Sequence, residues 1–208
     1  RRKHREEKPF ALMVPDLEAA RALARISPEE AEALSSIQRP IVLVEKRENH
    51  GLSPAVSPRN RFFGLMLPYT PLHHLLLREG GFRALVMTSG NLSEEPITIA
   101  NDEAFERLRG VADAFLVHDR DICLRSDDSI VRVVQGVPRQ IRRSRGFVPV
   151  PVFLQESLSD LPPVLAVGGE LKSTVCLTKE NRAFVSQHVG DMENLETLEF
   201  FRLTVSHL

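Results

Sequence analysis

Short apolar runs recur along the chain, and segments with helical spacing lie between the first of them. Runs of about four to eight apolar residues, bounded by polar residues, proline or glycine, are typical of buried strands. They predict strands over residues 9–14, 41–44, 62–67, 83–87, 114–118 and 130–135, and a further, arginine-rich strand is expected over 138–143. Helices are predicted after Asp16, Ser27 and Thr70, each of which can cap a first turn, and over residues 101–109. Helices that alternate with strands early, before strands cluster late, predict an α/β domain with a twisted mixed sheet.

A change in this pattern marks the expected domain boundary. Residues 149–163 carry four prolines and little periodicity, which is typical of a linker. After them the pattern predicts strands over 164–167, 174–178 and 183–187 and a helix over 194–201. We therefore expect a first domain over residues 1–148, a linker over 149–163 and an N-terminal fragment of a second domain over 164–208. The chain opens on a charged stretch, so we expect the first strand of the leading domain to be missing.

The composition is that of a soluble globular protein. The 208 residues are 42% apolar and 26% charged, and the formal net charge is −1. No apolar run approaches the roughly 20 residues that span a bilayer, and no signal-peptide pattern is present. We therefore expect a cytoplasmic protein with no membrane partner. Cys123 and Cys176 lie in apolar surroundings without close pairing, which favours reduced thiols over a disulfide framework.

The near-zero net charge hides segregated basic residues. Residues 1–8 begin R-R-K-H-R, and residues 139–145 carry four arginines. Basic clusters at two distant points favour an anionic ligand, either a polyphosphate or a nucleic acid. The alternative is a solvated chain end for the first cluster and an exposed strand for the second.

The stretch T-S-G-N-L-S, residues 88–93, follows the predicted strand over 83–87. A strand that ends there frees consecutive backbone N–H groups at its carboxyl end, where open α/β sheets bind ligands. Gly90 removes a side chain where an anion would approach, and the neighbouring hydroxyl and amide groups supply further hydrogen bonds. The stretch therefore predicts a phosphate site; the alternative is a capped turn, which serine and asparagine also favour.

Five motifs, in order, resemble the YrdC-like domains, which make carbamoyl- or threonylcarbamoyl-adenylate from ATP. The family pattern begins with Lys-x-Arg before a Pro-Leu-like strand and closes on an arginine-rich strand with an Arg-Gly turn. The matching stretches are Lys3-His4-Arg5 with Pro9-Phe10, Pro68 to Leu72, Thr88 to Ser93 (Thr-Ser-Ala-Asn-Leu-Ser in the family), Ser129-Ile130-Val131, and Arg143-Ser144-Arg145-Gly146. The resemblance covers residues 3–146 and implies a twisted α/β sheet with a concave, basic face.

The resemblance implies an adenylate-forming site that binds ATP with Mg²⁺. Lys3 and Arg5 are the expected catalytic residues, because their positive charge would stabilise the α-phosphate and the departing pyrophosphate. The residues expected to bind the nucleotide are Thr88, Ser89, Gly90, Asn91, Ser93, Ser129, Arg143 and Arg145. The implied acyl substrate is carbamate, released from carbamoyl phosphate by an acylphosphatase-like domain.

Residues 164–201 resemble the opening of the carbamoyltransferase domain that follows the YrdC-like domain in maturation proteins of nickel–iron hydrogenase. That domain belongs to the actin-like ATPase superfamily, in which a turn between the first two strands faces nucleotide phosphate. Lys172, Ser173 and Thr174 match that turn. The resemblance implies transfer of the carbamoyl group to the C-terminal cysteine of HypE. Zinc and the second-domain metal are expected outside this chain, so no complete metal site is expected within it.

Two departures favour a carbamoyl unit over a threonylcarbamoyl unit. Threonylcarbamoyl-adenylate synthases usually carry a histidine where this chain has Met13, and a Gly-x-Arg-x-Pro segment where it has Gly64-Leu65-Met66-Leu67-Pro68. The loss of polar groups fits an acyl substrate that requires no amino-acid recognition. Two alternatives stay open: a threonylcarbamoyl-adenylate synthase-like protein of tRNA modification, and a module that binds double-stranded RNA on a concave basic surface.

Overall fold

The computed structural model describes residue 2 and residues 8–92, 95–155 and 162–208. Contacts group the chain into two compact units, each built from separate stretches of sequence. The first, called the seven-strand unit, comprises Glu6–Thr88 and Asp128–Arg142. The second, called the four-strand unit, comprises Arg1–Arg5, Ser89–Asp127 and Arg143–Leu208.

The seven-strand unit is built on a mixed sheet. Its strands are β1 (Ala11–Met13), β2 (Ala24–Arg25), β3 (Ile41–Lys46), β4 (Phe62–Met66), β5 (Leu85–Met87), β6 (Ile130–Val134) and β7 (Val137–Arg142). The order across the sheet is β5-β1-β4-β3-β6-β7, and β2 pairs with β3. The β1–β4 and β3–β6 pairs are parallel and the others antiparallel. β5 is an edge strand, and the predicted phosphate turn begins directly after it.

Local capping explains where the helices of this unit begin. They are α1 (Leu17–Leu23), α2 (Pro28–Ser35), a 3₁₀ turn (Pro54–Val56) and α3 (Pro71–Gly80). The Asp16 carboxylate accepts a first-turn N–H at 2.8 Å, and Ser27 and Glu30 form a reciprocal capping box at the start of α2. The Thr70 hydroxyl accepts a first-turn N–H of α3 at 3.2 Å. The three predicted helix starts are confirmed.

Alternation along the central strands sends apolar side chains to both faces of the sheet. Leu12 and Val14 lie in one buried cluster with residues of β3, β4, α1 and α2. Met13 lies in a second cluster with Met66 of β4 and Leu77 of α3. Because both faces are covered, these strands appear in the sequence as continuous apolar runs rather than alternating ones.

The four-strand unit combines a helix, an antiparallel sheet and a C-terminal helix. Its elements are α4 (Asn101–Arg107), β8 (Val152–Phe153), β9 (Val164–Val167), β10 (Val175–Lys179), β11 (Arg182–Val185) and α5 (Leu195–His207). The sheet order is β8-β11-β10-β9, and every pair is antiparallel. β8 lies within the range 149–163 that the sequence predicts as a linker, and the division into domains stays a prediction.

α5 is the longest helix among the described residues. Its first turn is capped by Asn194, whose side-chain oxygen accepts an N–H at 2.8 Å. The helix continues to His207 instead of ending near residue 201, because it buries Phe200 and Thr204 along one side. None of the helices in the described part of the chain is both long enough and apolar enough to cross a membrane.

The strand predicted over residues 114–118 is wrong. These residues form no ladder with another described segment, and Leu116 is 77% exposed. Phe115 instead packs edge-to-face on Phe105 of α4, with ring centroids 5.2 Å apart. An apolar run forms a strand only where a neighbouring strand can pair with its backbone, and none does so here.

Candidate nucleotide-binding site

The turn that follows β5 is closed by its own hydrogen bonds. The Asn91 N–H donates to the Ser89 carbonyl at 3.0 Å. The Ser89 hydroxyl donates to the side-chain oxygen of Asn91 at 2.7 Å, and the Asn91 side-chain amide donates to the Glu95 carbonyl at 2.5 Å. Both side chains therefore hold the turn in shape. Their contact with a nucleotide stays a prediction.

Gly90 lies between these two residues and leaves a backbone donor unused. Within the described residues its N–H has no hydrogen-bond partner. Its backbone is not left-handed, and a Cβ would meet only Thr98 Oγ1 at 3.7 Å and Leu108 Cδ1 at 3.8 Å. Those are ordinary contacts, so folding does not require glycine here. An unused N–H in a turn is the kind of group that binds a phosphate oxygen, so the residues present fit the predicted ligand.

A second set of contacts joins Thr98 to Gly90 and joins Glu95 to α4. Thr98 donates twice to the Gly90 carbonyl, from its N–H at 2.9 Å and from its hydroxyl at 2.8 Å. Arg107 of α4 forms ion pairs with Glu95 and, at 2.8 Å, with Glu103. Burial lowers the pKa of Arg107, but the two glutamates outweigh this effect and raise it overall. The guanidinium therefore stays cationic and anchors the segment.

Arg125 connects this segment to the arginine-rich stretch of the same unit. Its Nε donates to the Ile97 carbonyl at 2.7 Å. The hydroxyl of the following residue, Ser126, lies 3.1 Å from the hydroxyl of Ser144. The Arg145 N–H donates to the carbonyl of Asp127 at 3.1 Å. The unit thus joins the turn after β5 and the predicted Arg-Ser-Arg stretch in one network. No motif marks the Arg125 contact, because its partner is a backbone carbonyl.

The two arginines predicted to bind the nucleotide have different surroundings. Arg143 Nη2 donates to the Val150 carbonyl at 2.5 Å, and its Nε is buried without a partner among the described residues. Burial lowers the pKa of Arg143, which means that its cationic form is less favoured here than in water. Arg145 is half-buried. Nucleotide binding by both stays a prediction; a phosphate oxygen would satisfy the Arg143 Nε.

The other five residues predicted for this site fall into two groups. Lys3, Arg5 and Ser93 lie outside the described residues. Thr88 and Ser129 belong to the seven-strand unit. Thr88 is exposed directly after β5, whereas Ser129 is fully buried, and its carbonyl accepts a backbone N–H of β3 at 2.8 Å. The roles of all five stay predictions.

The predicted phosphate turn of the second domain lies between β9 and β10. Lys172 has a φ of 52°, and its N–H donates to the Asp191 carboxylate at 2.6 Å. Ser173 is buried, and its hydroxyl has no partner among the described residues. A Cβ on Gly168 would lie 2.8 Å from the backbone oxygen and 2.9 Å from the backbone nitrogen of Thr174. Close backbone packing and an unpaired buried hydroxyl fit a phosphate turn, which stays a prediction for Lys172, Ser173 and Thr174.

Comparison with protein-family models decides the family. Residues 1–144 match the model of the Sua5, YciO and YrdC family, whose description is telomere recombination. The chain belongs to this YrdC-like family. Residues 159–208 match a second model, described as the HypF Kae1-like domain. The resemblance that the five motifs indicate is therefore confirmed.

Named relatives of this YrdC-like chain include carbamoyltransferases. It is 47% identical over 213 residues to "Carbamoyltransferase HypF" of Rhizobium leguminosarum bv. viciae, covering 100% of this chain and 28% of that protein. A crystal structure of full-length HypF in the phosphate- and nucleotide-bound form matches with a TM-score of 0.93 and 43% identity, covering 99% of this chain and 27% of that one. The structure of P. abyssi Sua5 complexed with L-threonine, at 18% identity, has a TM-score of 0.58 and covers 69% of this chain and 42% of that one.

These matches confirm the predicted fold, a YrdC-like twisted mixed sheet with helices followed by the start of a second domain, and the model that this second part matches is the HypF Kae1-like domain. The Sua5 likeness, at its low identity, shows the fold alone. The chain spans just over a quarter of the length of the HypF relatives that it matches.

Proposed function

We propose that this YrdC-like chain forms carbamoyl-adenylate from ATP and carbamate, as part of a HypF-type carbamoyltransferase. In that scheme the carbamoyl group passes to the C-terminal cysteine of HypE during maturation of nickel–iron hydrogenase. Relatedness to HypF along the whole chain supports the proposal. One observation in the seven-strand unit carries the choice of acyl substrate.

That observation is a buried pair of methionines. Met13 of β1 and Met66 of β4 are direct partners in the parallel ladder, and both are 0% exposed in the same apolar cluster. Threonylcarbamoyl-adenylate synthases usually carry histidine and arginine at these two positions. Two neighbouring polar groups are therefore replaced together by two neighbouring apolar ones, which leaves no donor there to recognise an amino acid. Carbamate has no amino-acid portion and requires none.

The proposed reaction moves an adenylyl group without oxidation or reduction. A carbamate oxygen attacks the α-phosphorus of ATP. The bond between that phosphorus and the oxygen that bridges the α- and β-phosphates breaks, and pyrophosphate leaves with the electron pair. The protein contributes positive charge and in-line positioning. The Gly90 N–H, Arg143 and Arg145 would contact the phosphates, together with Lys3 and Arg5.

Mg²⁺ bound with ATP would neutralise charge on the departing pyrophosphate. Within the described ranges no group of three or more His, Cys, Asp or Glu side chains is placed to hold a metal ion. We therefore assign no protein ligand to Mg²⁺. The phosphates and water are its natural ligands in such a site, since Mg²⁺ keeps several waters and binds few protein groups.

ATP–pyrophosphate exchange by the 208-residue chain tests the adenylation step, with ammonium carbamate as the acyl donor. We expect exchange with carbamate and none with threonine plus bicarbonate. Lys3→Ala and Arg5→Ala should each lower exchange on the order of 100-fold, because each removes charge stabilisation from the transferring group. Exchange with threonine and bicarbonate alone would favour the tRNA-modification alternative. No exchange, beside salt-sensitive binding of double-stranded RNA, would favour the RNA-binding alternative.

Transfer to HypE is tested in a chimera. The corresponding region of a HypF relative is replaced by this chain, which aligns with that region over its whole length. With carbamoyl phosphate and ATP, the C-terminal cysteine of HypE should gain the mass of one carbamoyl group. HypE without that cysteine is the matched control. A chimera that forms carbamoyl-adenylate but leaves HypE unmodified would overturn the acceptor assignment and leave the adenylation step standing.

A further inference from the structure

The Gly90 carbonyl is held by two donors of one residue. Thr98, eight positions downstream, donates its N–H at 2.9 Å and its hydroxyl at 2.8 Å to this oxygen. A carbonyl oxygen has two lone pairs, so the two donors can bind together. Thr98 is only partly buried, and its hydroxyl caps no helix, because the N-cap of α4 is Ala100. The Thr98 hydroxyl bond therefore acts on the turn after β5.

The two peptide groups that flank Gly90 are both fixed. In the Ser89–Gly90 peptide, the carbonyl accepts the Asn91 N–H at 3.0 Å. The peptide is trans, so its N–H, which belongs to Gly90, points away from that carbonyl. In the Gly90–Asn91 peptide, the oxygen is held by Thr98 and the N–H by Ser89. The Gly90 N–H has no partner among the described residues, and its direction thus depends on bonds made by its neighbours.

We propose that Thr98 is a positioning residue of the nucleotide site, which fixes the Gly90 carbonyl so that the Gly90 N–H is held in place for a phosphate oxygen. The inference rests on the proposed function, specifically on ATP binding by this turn. A donor whose direction is fixed before binding loses less conformational freedom when the phosphate arrives. Removal of the hydroxyl leaves the weaker restraint of a single N–H, and the turn samples other orientations.

The test compares three variants of the 208-residue chain by calorimetry with ATP and with adenosine. Thr98→Val keeps the side-chain shape and the backbone N–H but removes the hydroxyl, and Thr98→Ser keeps the hydroxyl. Thr178→Val is the matched control, because among the described residues the Thr178 hydroxyl bonds to the Val164 backbone alone, at 3.2 and 3.4 Å, in the sheet of the same unit. Adenosine carries no phosphate and therefore does not report on the Gly90 N–H.

We expect Thr98→Val to weaken ATP binding about fivefold, the effect of losing one hydrogen bond, while adenosine binding is unchanged. Thr98→Ser and Thr178→Val should bind ATP within about twofold of the parent chain. Equal losses for ATP and adenosine, or a Thr98→Ser variant as weak as Thr98→Val, would overturn the proposal. If exchange instead requires threonine and bicarbonate, the proposed function fails, but the ATP-specific loss in Thr98→Val persists and the positioning role stands.

Discussion

At the scale of single residues, two glycines in predicted phosphate turns meet different steric conditions. Gly168 lies against the backbone of Thr174, and an added Cβ would stand 2.8 Å from that carbonyl oxygen. Gly90 has ordinary clearance, with its nearest contact at 3.7 Å. Gly168 is therefore required by the packing of its own turn. Gly90 is not, and what it offers is a backbone N–H.

Gly168→Ala should destabilise the four-strand unit by about 1–3 kcal/mol, because the new Cβ forces backbone atoms apart. Urea unfolding measures the change. Gly169→Ala is the matched control, since a Cβ there would have nothing within 4 Å, and both substitutions restrict the unfolded chain alike. Equal unfolding midpoints for the two variants would contradict the steric explanation.

Gly90→Ala should fold at least as stably as the parent chain and bind ATP within about twofold of it. The Cβ meets only ordinary contacts, and the resembling family carries alanine at this position. A Gly-to-Ala change at an unstrained site tends to stabilise by about 0.4–1 kcal/mol through the unfolded state. Calorimetry with ATP decides the matter: a large loss of affinity, with the fold intact, would mean that the anion approaches too closely for any side chain, as the sequence alone suggests.

At the scale of elements, Glu45 of β3 links three parts of the seven-strand sheet. It is in register with Arg25 of β2, and its carboxylate accepts a hydrogen bond from Arg61, next to β4, at 2.7 Å. The hydrogen bond and the charge of Arg61 lower the pKa of Glu45, and the charge of Arg25 adds to the effect. The folded pKa is thus below the unfolded value of about 4.3.

The sign of this shift predicts an acid-dependent stability. The contribution of Glu45 is fully present above the unfolded pKa and is lost as the pH falls through the folded pKa. Glu45→Gln should therefore make the free energy of unfolding less sensitive to pH between about pH 6 and about pH 3. Chemical unfolding across that range measures it, with the exposed loop residue Glu48 changed to Gln as the control. Parallel curves for Glu45→Gln and the parent chain would refute the assignment.

Elements that depend on neighbouring residues in the sequence could be predicted from it. Elements that depend on a partner far away in the sequence could not. The caps at Asp16, Ser27 and Thr70 immediately precede the helices that they begin. The run over 114–118 has the composition of a strand, but pairing depends on a neighbour that the sequence does not specify. The T-S-G-N-L-S motif marks the turn after β5, whereas the Thr98 bond to that turn joins residues eight positions apart, which no local pattern indicates.

At the scale of the whole molecule, the residues before and after the predicted linker belong to the same four-strand unit. The Arg143 carbonyl accepts a hydrogen bond from the backbone N–H of His188 at 3.0 Å, and β8 pairs with β11. Arg125, which holds the Ile97 carbonyl, also lies over the ring of Phe200 in α5, 5.9 Å from its centroid. Residues 164–208 therefore pack in the same unit as the turn that is proposed to bind ATP.

A chain that ends at residue 155 tests whether those later residues support the site. It lacks β9 to β11 and α5, so β8 loses its strand partner and Arg125 loses the ring beneath it. We expect its ATP affinity to fall about tenfold or more, because the segment that holds the turn becomes part of a low-stability region.

The seven-strand unit provides the internal reference for this truncation. Its sheet and both apolar clusters belong to residues 8–88 and 128–142, which the truncation leaves intact. Hydrogen exchange should therefore remain slow in β1, β3 and β4 while it accelerates between residues 95 and 127. Phe200→Ala in the full chain removes a ring that is 4% exposed and should reproduce part of the loss of ATP affinity. Undiminished affinity in the shortened chain would instead place the functional boundary within residues 149–163, where the prolines of the sequence predict it.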